Sequence, residues 1–126
     1  MPTYNTEDFD PSAPVAYVTL RNPITGIKLP DVPMLIDTGA DTTLLPVDAI
    51  ENLDIEADKD KLFEVQGFGG EIQLLKIAHL ELLFLSKKFT GDFLLVERQI
   101  GILGRNILNN LRLVLDGPNN RWDERK

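Results

Sequence analysis

The sequence predicts a mainly-β domain built from small sheets or a distorted barrel. Three observations carry this. Apolar residues gather in short β-branched and aromatic runs, most of them bounded by glycine, proline, asparagine or aspartate. Helical spacing shows in only two short segments. The runs follow one another directly, without the strand–helix alternation that signals a parallel, helix-covered sheet.

Residues 1–14 carry Pro2, Pro11 and Pro14 among several acids and read as a flexible arm. Residues 15–20 (VAYVTL) are a strand by propensity. Residues 21–26 (RNPITG) are turn chemistry, followed by a second short strand at 27–29. Pro30, Asp31 and Pro33 then interrupt, and Met34, Leu35 and Ile36 form a short apolar strand ending at Asp37-Thr38-Gly39. Residues 42–45 are strand-like again. In 46–53 (PVDAIENL) the period changes: Ala49, Ile50 and Leu53 share a side and Pro46 suits a first turn, so a short helix is expected. The charged stretch 54–61 reads as a solvated loop. Residues 63–66 and 72–76 flank Gly67-Phe68-Gly69-Gly70 and make a hairpin with a glycine-rich tip.

Residues 77–85 continue as strand, with Ala78, Leu80, Leu82 and Phe84 on one face and His79 and Glu81 on the other. Ser86-Lys87-Lys88 turns the chain and 89–96 returns, with Phe89 and Phe93 as core residues. Residues 100–104 (IGILG) are a short apolar run. Residues 105–111 suit a helix, with Ile107, Leu108 and Leu111 on one side, and 113–115 are a last strand. Residues 118–126 read as a polar tail in which Trp122 frays. One domain, 15–117, is expected between arm and tail.

Composition narrows the function. The chain has 126 residues and no cysteine, which excludes disulfide scaffolds, thiolate metal sites and cysteine nucleophiles. A single histidine, His79, is too little for a histidine-based metal site, and no metal or other cofactor is expected. Thirteen Lys and Arg stand against 20 Asp and Glu, a net charge of -7, so a general nucleic-acid partner is not expected. No apolar run approaches the ~20 residues of a spanning helix, so no membrane partner is expected either. The first residues lack the basic and apolar regions of a signal peptide, which makes the cytoplasm the expected address.

The densest chemistry is Leu35-Ile36-Asp37-Thr38-Gly39-Ala40-Asp41-Thr42-Thr43-Leu44. An acid directly follows three large apolar residues, and Gly39 lets the backbone turn tightly behind it. Taken alone, Asp-Thr-Gly is also ordinary turn chemistry. It is followed, in order, by the tip QGFGG and by the run ILGRN before a helix. This ordered set resembles the retropepsin family, the single-lobe aspartic proteases of retroviruses and their cellular or bacterial-type relatives. The likeness spans roughly residues 15–117 and implies a retropepsin-like acid protease fold: a small closed or distorted β-barrel with a flap hairpin and a short C-terminal helix, one lobe per chain.

The chemistry fits such an enzyme. Peptide hydrolysis without metal, cysteine or a histidine base needs an activated water and an acid. Two carboxylates held close share one proton, so that one member serves as base and the other as acid. One Asp per chain cannot make this pair, whereas an isologous homodimer axis brings residue 37 against its own copy. The resemblance then implies that Asp37 is the catalytic aspartate of an aspartic endopeptidase acting on polypeptides. It implies that Thr38 braces the two loops across the axis and that the backbone of Gly39 approaches substrate. It implies that Asp41 and Arg105 form an internal ion pair, and that residues 63–76 are a flap with Phe68 at its tip. Leu35, Ala40, Leu44, Val65, Gly67, Phe68, Gly69, Ile100 and Ile102 match substrate-binding positions, with hydrophobic side chains expected on either side of the cut. Retroviral enzymes interleave both chain ends in the dimer sheet; this sequence offers only 113–115 as an interface strand. Arg98 and Gln99 bring polarity close to the pocket.

Other readings compete. The same fold can act as a non-catalytic dimeric domain that binds extended peptides by strand addition, against which the intact Asp37, Thr38 and Gly39 argue. Actin-like ATPases need two large lobes, more than this length holds. Haloacid-dehalogenase phosphatases want a second Asp where Gly39 stands, and no Lys-Ser/Thr follows the GFGG tip as a phosphate loop requires.

Overall fold

Strand alternation decides which side chains turn inward. The computed structural model describes residues 2–66 and 69–126, with residues 58–61 as backbone alone. In chain order the strands are β1 (Tyr4–Asn5), β2 (Ala13–Arg21), β3 (Lys28–Ile36), β4 (Leu44–Pro46), β5 (Asp58–Gln66), β6 (Ile72–Phe84), β7 (Lys87–Val96), β8 (Gly101–Leu103), β9 (Leu113–Asp116) and β10 (Arg121–Glu124). Helix α1 (Val47–Glu51) follows β4 and α2 (Arg105–Leu108) follows β8. Ala16, Val18 and Leu20 of β2, Val32, Met34 and Ile36 of β3, and Ala78, Leu80, Leu82 and Phe84 of β6 are all buried at period two. Each fully buried Leu or Val contributes about 1.5–3 kcal/mol.

Eight strands form one sheet in the order β1-β2-β3-β8-β4-β7-β6-β5. An additional β2–β6 pairing, from Thr19↔Leu83 to Arg21↔Glu81, closes six of them into a barrel. Closure removes the exposed edges that an open sheet of this size would leave. β5 and the first residues of β6 extend from this ring as the flap hairpin, paired from Leu62↔Lys76 to Gln66↔Ile72. Its Leu62, Phe63, Ile72 and Leu74 are exposed.

The structure departs from the sequence reading where local signals were overridden. Residues 27–36 were expected as two strands split by prolines, yet β3 runs through Pro30 and Pro33. Asp31 takes a positive φ of 59° and the β2–β3 register shifts between Val18 and Leu20, so a bulge absorbs the interruption. β8 pairs with β3 only over Met34–Ile36, so the prolines occupy the stretch that β8 leaves uncovered. Residues 58–61, expected as loop, open β5. The 72–76 and 77–85 runs form one continuous strand, as expected, but it ends at Phe84, and the turn after it uses Leu85 and Ser86 at positive φ (50° and 64°) in place of residues 86–88. Glu81, on the face opposite Ala78, Leu80 and Leu82 as expected, is nonetheless only 7% exposed and is held by Arg21 Nη1 at 2.7 Å.

Both ends carry structure in place of a featureless arm and tail. Tyr4–Asn5 pairs with Ala13 and Pro14, and β10 pairs with β9. Trp122 is not frayed: it is 3% exposed, its ring lies 6.0 Å from that of Phe84, and its Nε1–H donates to Val15 O at 3.1 Å. An indole with a partner for its N–H is a core residue, and its isolation among polar neighbours hid this.

Candidate active site

Asp37 stands where a buried strand ends. β3 and β8 run parallel, with Met34↔Gly101, Leu35↔Ile102 and Ile36↔Leu103 opposite one another, and the Asp37 N–H extends this ladder to Leu103 O at 3.1 Å. The chain then turns on its own side chain. Asp37 Oδ1 accepts the Gly39 N–H at 2.9 Å, and the Ala40 N–H reaches Asp37 O at 3.2 Å. A Cβ at Gly39 would lie 3.1 Å from that same Oδ1, so the turn is tight enough to favour glycine. Asp37 and Ala40 are half-buried, and Thr38 and Gly39 are exposed.

The segment around α2 clamps this loop from below. The Arg105 N–H donates to Ala40 O at 2.8 Å and its Nη1 donates to Thr38 O at 2.7 Å. Thr43, 1% exposed, accepts the Gly104 N–H at 3.1 Å and donates its hydroxyl to Asn106 Oδ1 at 2.7 Å. A Cβ at Gly104 would press on the Thr42 carbonyl, 2.5 Å from its carbon, so only glycine allows this approach. Thr43 and Asn106 were not singled out from sequence. Their partnership joins positions far apart in the chain, and the only local sign was the ILGRN run itself.

The expected Asp41–Arg105 ion pair is not formed. Among the described residues the ion pairs within 4.0 Å are Arg21–Glu81, Lys88–Glu81, His79–Asp92 and Arg121–Asp116. Arg105 opens α2 and its Nη1 donates to the Thr38 carbonyl, so it holds the loop through a main-chain oxygen, while the Asp41 carboxylate is exposed.

Three of the expected pocket residues come together. Ile102 pairs with Leu35 on one side and with Leu44 on the other, giving a half-buried apolar row across β3, β8 and β4 next to Asp37. Ile100 is half-buried just before β8. Val65, half-buried on β5, lines a cleft of about 460 Å³ with Asp41, Thr42, Phe63 and Leu94. Gly69 is exposed beside the tip; Gly67 and Phe68 lie outside the described residues. Arg98 is exposed and lines a separate cavity with Leu44, Leu74 and Lys76. His79 is exposed, 2.9 Å from Asp92 and away from the loop's hydrogen bonds.

The arrangement is a single carboxylate on a rigid turn beside an apolar row. Residues 14–116 match the family described as retroviral aspartyl protease. Among solved structures, EIAV protease complexed with the inhibitor HBY-793 is similar, with a TM-score of 0.59 and 23% identity over 86% of this chain and 92% of that one. The comparison with curated proteins returns no match. No helix among the described residues is long and apolar enough to cross a membrane. The motif order, the closed barrel, the clamped Asp-Thr-Gly turn and a family match over most of the chain agree: this chain belongs to the retroviral aspartyl protease family and is a retropepsin-like aspartic endopeptidase.

Proposed function

We propose that the enzyme is a homodimer that hydrolyses polypeptides at bonds flanked by hydrophobic residues, with Asp37 of each chain forming one dyad on the two-fold axis. The observation that carries this is the lone carboxylate of Asp37, held on its turn by the Gly39 N–H, with no second acid in an equivalent setting among the described residues. A pair of such groups at short range shares one proton. The ionised Asp37 takes a proton from water as the water oxygen bonds to the scissile carbonyl carbon. The protonated Asp37 of the second copy gives its hydrogen to the carbonyl oxygen. The proton held by the base then passes to the amide nitrogen as the C–N bond breaks, while the second Asp37, now ionised, takes a proton from a hydroxyl of the intermediate as the C=O re-forms, which restores the singly protonated pair.

Thr38 and Gly39 belong to the same catalytic turn in this reading: Thr38 steadies the pair across the axis, and Gly39 leaves room for the substrate main chain. Leu35, Leu44 and Ile102, with Ala40 and Ile100, receive the side chains next to the cut. Val65 and Gly69 cover them from the flap, and Gly67 and Phe68 are assigned the same substrate-binding role from the QGFGG motif alone. Apolar, half-buried walls favour hydrophobic side chains at these places.

Asp37→Asn is the direct test. The amide cannot act as base, so cleavage of a diverse peptide library should fall by at least about 10³-fold, while the thermal unfolding midpoint stays close to that of wild type. Undiminished cleavage by Asp37→Asn sinks the proposal. Cleavage should be strongest at acidic to mildly acidic pH, and activity climbing steadily above neutrality would speak against a carboxylate dyad.

A further inference from the structure

The two ends of the chain are tied to each other, and this leaves one strand edge open. β10 has β9 on one side, paired from Arg121↔Asp116 to Glu124↔Leu113. On its other side lie residues 2–4: the Trp122 N–H donates to Pro2 O at 3.1 Å, the Tyr4 N–H donates to Asn120 O at 2.7 Å, and Thr3 bridges Arg121. Ser12 Oγ adds a bond to Asn120 Oδ1 at 2.6 Å. Both flanks of β10 are thus filled from within one chain.

β9 differs. Among the described residues its only strand partner is β10. The Arg125 N–H donates to Arg112 O at 2.8 Å, so residues 112, 114 and 116 turn their main-chain groups toward β10. Antiparallel alternation then points the N–H and C=O of Leu113 and Leu115 to the open edge. Val114 and Leu115 are 44% and 49% exposed there. An apolar strand edge with unpaired groups is a template for another strand.

We infer that this edge takes β9 of a second copy, antiparallel across the two-fold axis, and that the subunits join without exchanging chain ends. The inference rests on the homodimer reading above, since one Asp37 per chain leaves the site incomplete. Self-complementarity identifies the occupant. With edge-facing groups at 113 and 115, one two-fold register sets Leu113 opposite Leu115 of the copy at both ends, and each of these pairs exchanges two N–H···O bonds. Val114 then meets its own copy on the axis. Arg112 lies across from Asp116 of the copy on the Val114 face, an opposite-charge cross-strand pair. A shift of two residues in either direction loses rungs. Residues 109–112 join α2 to β9, so the segment whose Arg105 clamps the catalytic turn continues into the interface.

Because the chain has no cysteine, introduced thiols report this geometry cleanly. Residue 114 and its copy form a non-hydrogen-bonded pair, with Cα atoms about 4.5 Å apart, within disulfide reach. Val114→Cys is expected to give a reductant-sensitive covalent dimer on mild oxidation, and the oxidised protein should keep its activity at dilutions where wild type loses it. The double variant Thr3→Cys/Arg121→Cys should close its disulfide inside one chain and run as a monomer on a non-reducing gel. A covalent dimer from that double variant would mean exchanged ends and would overturn the inference. Val114→Cys that stays uncrosslinked, while activity per chain still rises with concentration, would also overturn it. That result would leave the Asp37 dyad standing on another interface. The dyad itself fails only if Asp37→Asn still cleaves.

Discussion

Gly104 shows how closely the Asp37-Thr38-Gly39 turn and the segment after it are packed. Any side chain there meets the Thr42 main chain, so Gly104→Ala should cost about 1–3 kcal/mol in chemical denaturation. It should lower activity as well, because the displaced segment is the one that Thr43 grips. Thr43→Val keeps the shape but leaves the Gly104 N–H and the Asn106 Oδ1 without their partner, and should cost a similar ~1–3 kcal/mol. The candidate nucleophile-activating acid was legible because Asp37, Thr38 and Gly39 are contiguous and their chemistry is local. The clamp was not legible in the same detail. Arg105 was assigned to Asp41 by analogy, whereas its guanidinium donates to the Thr38 carbonyl, an acceptor that no side-chain pattern in the sequence marks.

Strand existence and order read well from alternation, as β2, β6 and β7 show; boundaries failed where a tertiary partner outvoted a local breaker, as in β3. The C-terminal hairpin was missed because its signal is long-range. β10 is polar apart from Trp122, and only the contact of that indole with Val15 and Phe84 gives the strand a reason to form. Trp122→Ala should therefore cost about 3–5 kcal/mol, read by urea unfolding, and release both chain ends together. The turn between β9 and β10 adds a pH dependence. The Asn119 amide, bonded to the Asp116 carboxylate at 2.9 Å, together with Arg121, holds that carboxyl below its usual value of 3.8. A carboxyl with a lowered folded-state value stabilises the fold above its unfolded-state value, and that contribution is lost as pH falls through the folded-state value. Asp116→Asn should consequently show a flatter stability profile than wild type below about pH 4, measured by thermal unfolding across pH.

At the level of the whole molecule, length and composition pointed to half an active site per chain. A cysteine-free chain with one histidine leaves carboxylates as its principal candidate acids and bases, and a single barrel presents one Asp-Thr-Gly turn. What composition could not show is how two copies would meet in the proposed dimer, because that depends on which strand edges the fold leaves open. The interface and the dyad make a joint prediction: activity per chain should fall on dilution through the range where sedimentation velocity shows the dimer dissociating.

Subunit mixing tests the shared dyad most directly. Wild-type protein is held at fixed amount, above the dimer's dissociation range, and equilibrated with one equivalent of Asp37→Asn. Random pairing places half of the wild-type chains in mixed dimers with one carboxylate each, so activity should drop to about half, and to about a quarter with three equivalents. Activity that stays constant as Asp37→Asn is added, while the two proteins demonstrably exchange subunits, would show that each chain cleaves alone and would contradict a dyad built from two copies of Asp37.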